Sequence, residues 1–143
     1  MRLPGSVTRM FSTARVVIMV ALGASGPAFA EACELPAGGQ VVANADATVR
    51  LSYRFEPSEL KADRHFALLV DACASATIDA LAVDAQMPEH RHGMNYKPVV
   101  TKIGPKRWKA DGLLLHMPGR WEFRFDMHTA GRTDRLAHSV TVE

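Results

Sequence analysis

The sequence lacks any segment in which apolar residues recur at helical spacing over ten or more residues, which excludes a fold built on helices. It also lacks an excess of charge of one sign. The first thirty residues hold three arginines and no acidic residue, so the remainder has 14 Lys and Arg against 15 Asp and Glu, a net charge of −1. Internal repeats, linkers and low-complexity runs are missing as well. These absences favour one nearly neutral globular domain and argue against a nucleic-acid surface.

The first thirty residues have the three parts of a secretory signal peptide. A basic N-terminal stretch is followed by an apolar run, residues 16–22, which is too short to span a bilayer comfortably. Ala28 and Ala30 then supply the small residues of a cleavage site. We predict cleavage after Ala30, which places a single domain of residues 31–143 in the periplasm or otherwise outside the cytoplasm.

The sequence of this leader permits two alternatives to cleavage after Ala30. A lipid anchor on Cys33 is disfavoured, because Glu31 stands where a lipoprotein signal has a small apolar residue. The leader also fits an uncleaved membrane anchor.

Cysteine is scarce, since residues 31–143 contain only Cys33 and Cys73. In an oxidising compartment an even number of cysteines favours a disulfide, and this one would tie the N-terminal tail to the end of a strand. The alternative is a pair of free thiols that bind a metal, although the C-x-x-C spacing is missing. We predict the disulfide.

Short segments with an apolar residue at every second position dominate the domain. The clearest alternation of apolar and polar side chains is in residues 48–55 and 121–127. The predicted strands are residues 48–55, 65–71, 77–84, 99–103, 107–115, 121–127 and 136–142. We therefore predict an all-β fold, an immunoglobulin-like antiparallel β-sandwich of seven or eight strands.

The most distinctive segment is MPEHRHGMNYKP, from Met87 to Pro98. In an extended chain residues two apart share a face, so His90 and His92 point the same way, and Met94 joins them if the chain stays extended. Two imidazoles and a thioether suit a soft metal, because thioethers select Cu(I) and imidazole binds copper in either oxidation state.

A second segment, LLLHMPGRW, holds two further donors. Met117 has the same parity as the apolar residues around it and so points inward, unless Pro118 and Gly119 form a bulge. His116 then points to solvent or to a neighbouring loop. Both segments contain a Met-Pro pair at a strand end, and the pairs could meet at one end of the sandwich. That meeting would bring six donors together: Met87, His90, His92, Met94, His116 and Met117.

Simpler roles are open for these residues. A His-x-His pair is common on protein surfaces and usually binds nothing, and Met87 and Met117 fit the core as well as a metal site. The remaining histidines, His65, His128 and His138, are scattered along the chain and are expected to be solvated. The density of donors in the first segment favours the metal interpretation.

Together the two segments resemble the YtkA-like family of small exported bacterial domains and, more loosely, FixH-like domains. The resemblance covers residues 55–143. One departure is Arg91, which stands between the histidines where a small residue is expected; a cation there weakens metal binding unless its side chain points to solvent. Besides the six donors, the motif includes Pro88, Gly93, Pro98, Pro118, Gly119 and Trp121.

The resemblance implies a β-sandwich outside the cytoplasm, a role in copper handling or cytochrome oxidase maturation, and no catalysis. The first candidate function is thus an exported carrier or assembly factor that passes copper to a membrane-bound or exported acceptor. Its Cu(I) ligands would be the two histidines of the first segment and Met94, completed by Met87, His116 or Met117.

Two other classes of function remain. In a non-enzymatic protein-interaction module the motif would be structural, with its histidines hydrogen-bonded to loop carbonyls and Trp121 packed beneath them. An enzyme is disfavoured, because no Ser-His-acid set is visible and only Asp84 and Glu89 lie near the motif as carboxylates. A three-histidine zinc site with an open position would need His116 as its third ligand.

Overall fold

The computed structural model describes residues 33–143, and within this range the chain forms β-strands and no helix that could cross a membrane. The strands are β1 Gln40–Ala43, β2 Val49–Glu56, β3 His65–Ala74, β4 Ile78–Met87, β5 His92–Gly93, β6 Val99–Gly104, β7 Arg107–Leu114, β8 Gly119–Thr129 and β9 Arg132–Val142. All seven predicted strands are present. The additional strands, β1 and β5, are the two shortest. The predicted signal peptide and its cleavage site lie outside the described residues.

Two antiparallel sheets pack face to face. One has the strand order β1-β2-β3-β7-β6 and the other β5-β4-β8-β9. The orders β2-β3-β7-β6 and β4-β8-β9 match the two sheets of an immunoglobulin constant-type sandwich. The predicted immunoglobulin-like sandwich is therefore confirmed, but the described residues form nine strands instead of seven or eight. In this topology the end of β4 and the start of β8 lie side by side, since Gln86 is paired with Glu122.

Alternating apolar side chains fill the space between the sheets. Each buried Val, Leu, Ile, Phe or Met side chain stabilises the fold by about 1.5–3 kcal/mol relative to an exposed one. In β4 the alternation changes at a register shift after Ile78, which allows both Ile78 and Leu81 to point inward despite their opposite parity. Strand β8 keeps strict alternation, and its four fully buried residues are Trp121, Phe123, Phe125 and Met127.

Cys33 and Cys73 form the predicted disulfide, with their Cα atoms 5.9 Å apart. The bridge ties the segment before β1 to the end of β3. Beside it, Nη2 of Arg50 donates a hydrogen bond of 2.9 Å to the carbonyl oxygen of Cys33. Because both thiols are used, the alternative of a free-thiol metal site is wrong, and the bridge is incompatible with a lipid on Cys33. A disulfide of this kind is typical of an oxidising, exported environment.

His138 departs from the expectation that it is solvated. Its Nδ1 atom lies 2.7 Å from the hydroxyl of Tyr53, which is only 1% exposed, so the pair joins β2 of one sheet to β9 of the other. Burial raises the pKa of Tyr53. The expectation was wrong because a buried tyrosine hydroxyl requires a hydrogen-bond partner, which sequence spacing does not reveal. His65 and His128 are exposed, as predicted.

Candidate metal site

A tight hairpin between β4 and β5 positions the first group of donors. Its four-residue turn is closed by the N–H of His90, which donates to the carbonyl oxygen of Met87 at 3.2 Å. Pro88 occupies the second position of this turn, where its fixed φ is favoured, and Arg91 directly follows the turn with a φ of 56°. Met87 is paired directly with His92. Since paired residues share a face, His92 lies on the inner side of the sheet with Met87.

His90 lies in the turn and not in an extended segment, so the alternation that predicted a shared face with His92 does not apply. The turn nevertheless places the two ring centroids 5.8 Å apart. His90 is exposed and His92 is half-buried. Met94 follows β5 and stays bonded to β4, because its N–H donates to the carbonyl oxygen of Ala85 at 3.1 Å. Its side chain packs against the hydrophobic core.

The loop between β7 and β8 positions the second group. Trp121 is fully buried at the start of β8, and its Nε1 donates to the carbonyl oxygen of Met117 at 3.0 Å, which holds the loop against the indole ring. His116 faces the hairpin, with its ring centroid 5.0 Å from that of His92 and 5.4 Å from that of Trp121. Of the two predicted orientations for His116, the structure adopts the one toward a neighbouring loop. Met117 is half-buried against the core.

Gly119 shows how closely the two Met-Pro pairs approach. Its φ is +126°, and a Cβ built on it would lie 2.7 Å from Cε of Met87. The two pairs therefore meet at one end of the sandwich, as predicted. The φ requires glycine at this position, and the terminal methyl of Met87 occupies the space that a Cβ would take.

The replacement Gly119→Ala is expected to lower the free energy of unfolding by about 1–2 kcal/mol, because the backbone is strained and Met87 must move. Urea unfolding measures this loss. Gly38→Ala is the matched control, since Gly38 also has a positive φ of 86° but no atom within 4 Å of an added Cβ. An equal loss in both variants would show that displacement of Met87 contributes nothing.

The structure brings three histidines into one row, with His92 between His90 and His116. The ring of Trp121 lies against those of His92 and His116. The thioethers lie toward the core. Met87 is 1% exposed and is a core residue, which agrees with the simpler of its two predicted roles. Among residues 33–143, no three His, Cys, Asp or Glu side chains are arranged to hold a metal ion. The histidines alone thus do not make a preformed site.

Two histidines in this row differ in the hydrogen bonding of their Nδ1 atoms. Nδ1 of His116 is buried and has no hydrogen-bond partner. Nδ1 of His92 lies 3.3 Å from the carbonyl oxygen of Gly93, and donation to that oxygen would leave its Nε2 with a free lone pair. Arg91 is exposed. This is the orientation in which its positive charge was expected not to weaken metal binding.

Sequence reasoning missed the pairing of β5, which orients His92, and the hydrogen bond from Trp121, which orients the loop that carries His116. The two residues of β5 give no alternation pattern. The hydrogen bond from Trp121 ends on the backbone oxygen of residue 117. Every residue type has this oxygen, so the sequence gives no sign of the bond.

No protein-family model, curated protein or solved structure matches this chain.

Proposed function

We propose that this domain is an exported copper carrier or assembly factor that binds Cu(I) through His92, His116 and at least one thioether. The observation that supports the proposal most is the buried Nδ1 of His116, which lacks a hydrogen-bond partner while its ring lies 5.0 Å from that of His92. A buried polar atom without a partner costs about 1–3 kcal/mol, and a bound metal ion would remove that cost.

The chemistry of the neighbouring side chains favours copper over harder ions. Met94 and Met117 are half-buried beside the core, and thioether sulfur prefers Cu(I) to Mg²⁺, Ca²⁺ or Zn²⁺. Both of these sulfurs survive in an oxidising environment in which Cys33 and Cys73 are paired. The resemblance to YtkA-like domains supports the same metal and the same role outside the cytoplasm.

The exposure of the site supports transfer rather than permanent storage. His90 is exposed at the rim and His92 is half-buried, so an incoming ion meets the rim before the inner donors. Sites on loops at the end of a rigid sandwich are accessible to other proteins. A membrane-bound or exported copper acceptor is therefore the expected partner.

Anaerobic titration of residues 31–143 with Cu(I) against a competing chelator tests this function. We expect one ion to bind with a Kd below about 1 μM. The variant His92→Ala/His116→Ala should bind at least about 100-fold more weakly, because loss of even a hydrogen-bond partner of a ligand costs about 10- to 100-fold in metal affinity. The matched control is His65→Ala/His128→Ala, which removes two exposed histidines outside the row. Absence of binding to the unaltered domain, or an equal loss in the control, would refute the proposal.

A protein-interaction module is the second candidate, because the hydrogen bond from His92 to Gly93 and the contacts with Trp121 also suit a purely structural motif. This candidate predicts that Cu(I) leaves the thermal unfolding of the domain unchanged. It also predicts that His92→Ala/His116→Ala lowers the melting temperature, which circular dichroism would measure.

A further inference from the structure

One edge of β4 is left without a neighbouring strand. β4 runs for ten residues, Ile78–Met87, and pairs with β8 along most of its length. On its other side β5 pairs only with Gln86 and Met87. Between residues 79 and 84, no other strand of the described chain pairs with this edge. The backbone N–H and C=O groups of such an edge can pair with an added strand.

The contacts of Ala85 identify which residues point to the open edge. Its carbonyl oxygen accepts the N–H of Met94, and its own N–H donates to Oδ1 of Asp84 at 2.8 Å. In an antiparallel strand, residues two apart direct their backbone groups to the same side. Leu81 and Val83 therefore direct theirs outward, away from β8.

Both ends of this edge are protected, but its middle is not. Nζ of Lys102 donates to the carbonyl oxygen of Ile78 at 3.2 Å and so covers the beginning of β4. The short strand β5 covers the end. Lysine contacts and short edge strands are among the ways in which proteins block unwanted pairing. Their restriction to the two ends leaves a gap about five residues long, which suits one short extended segment.

A groove of about 440 Å³ follows the unprotected part. β4 forms one wall through residues 81–84, and Pro98 and Val100 contribute to the other. A second hollow of about 470 Å³ shares Asp84 and Arg124 with the groove and extends to His92. The surface beside the open edge is therefore concave and leads toward the histidine row.

The charges around the groove favour an acidic occupant. Arg124 is paired with Asp84, and Arg135 with Asp126, whose pKa is lowered chiefly by the hydrogen bond from that arginine. Lys97 forms no ion pair within residues 33–143. 

Arg91, which lines the second hollow, likewise lacks a carboxylate partner in the described part of the chain. One uncompensated positive charge thus lies in the groove and one in the adjoining hollow, so carboxylates on a bound segment would be attracted to both.

We propose that the open edge of β4 binds an extended, acidic segment of a partner protein, which pairs with the backbone of Leu81 and Val83 as an added strand. Backbone pairing supplies the geometry of such strand addition, and side-chain contacts supply its selectivity. The carboxylates of the segment would lie near Lys97 and Arg91. This inference goes beyond the copper site and does not depend on it.

A blocked ten-residue peptide that alternates glutamate and threonine provides a defined probe for residues 31–143. Binding is followed by NMR titration and by amide hydrogen exchange. At saturation we expect the amides of Leu81 and Val83 to exchange about tenfold more slowly, as hydrogen-bonded strand amides do. Unchanged exchange at both amides would overturn the proposal.

Two altered peptides separate strand pairing from charge attraction. A peptide with N-methyl groups on every second residue keeps its charge but loses backbone donors, and one with lysine in place of glutamate keeps the donors but reverses the charge. We expect each to bind at least about tenfold more weakly than the parent. Equal binding of either altered peptide would contradict the corresponding half of the proposal.

Charge reversal in the protein locates the site. Lys97→Glu is expected to weaken binding of the acidic peptide about threefold to tenfold. Lys106→Glu makes the same change at an exposed residue outside the groove and is expected to have no effect. Equal effects of the two variants would show only general attraction and overturn the proposal. Concentration-dependent dimerisation that protects the same amides, measured by sedimentation, would assign the edge to a second copy instead.

Discussion

Replacement of Trp121 by alanine is expected to lower the free energy of unfolding by about 3–5 kcal/mol, the range typical of removing a buried aromatic side chain. Trp121 is fully buried, and its indole contacts the rings of both His92 and His116. The replacement also removes the hydrogen bond to the carbonyl oxygen of Met117. Urea unfolding followed by far-UV circular dichroism measures the loss.

A milder replacement separates packing from hydrogen bonding. Trp121→Phe keeps an aromatic ring and should cost less than Trp121→Ala, but it leaves the Met117 carbonyl oxygen without its donor, a loss of about 1–3 kcal/mol. We expect Trp121→Phe also to weaken Cu(I) binding, because the loop that carries His116 is then less firmly held. Trp108→Phe, at the other buried tryptophan, is the control and should leave Cu(I) binding unchanged. If both variants bind Cu(I) like the unaltered domain, Trp121 does not position the site.

Removal of the disulfide is the second large change. For the double variant Cys33→Ala/Cys73→Ala we expect a loss of about 3–4 kcal/mol in the free energy of unfolding, from the chain entropy that the bridge removes in the unfolded state. The bridge closes a loop between residues 40 positions apart. Alanine is preferred to serine because Cys73 is only 5% exposed, and a hydroxyl there would be buried.

The same loss should appear when the unaltered domain is unfolded under reducing conditions. If the reductant leaves the midpoint of urea unfolding of the unaltered domain unchanged, the prediction is contradicted. The double variant itself serves as the control, since it contains no thiol for the reductant to act on. Mass spectrometry after thiol alkylation confirms the redox state of each sample.

The strands were predictable because alternation is a local property of the chain. In β8, every second residue from Trp121 to Met127 is buried, as its parity indicates. In β4 the apolar residues predicted a strand, although Ile78 and Leu81 have opposite parity. The sequence did not predict the register shift after Ile78 that lets both of them point inward. Strand β5 could not be predicted, because two residues carry no period and His92 and Gly93 pair only where the end of β4 lies beside them.

The candidate site was predictable in composition but not in arrangement. The residue types of the two Met-Pro segments indicated donors for a soft metal, and the strand ends indicated that the segments could meet. The extended chain assumed for His90 and His92 is instead a hairpin turn, because Pro88 and the left-handed Arg91 reverse the chain there. His138 showed the same limit, since its partner Tyr53 is distant in the sequence.

The sequence by itself determined the all-β class, the faces of the long strands and the set of donors, because side-chain alternation and residue chemistry do not depend on distant parts of the chain. The tertiary structure decided which donors are neighbours. The pairing of β4 with β5 turned His92 inward, and the hydrogen bond from Trp121 held the second loop so that His116 faces it. It also left the middle of the β4 edge open. Each of these features depends on contacts between residues far apart in the chain, which a local pattern cannot specify.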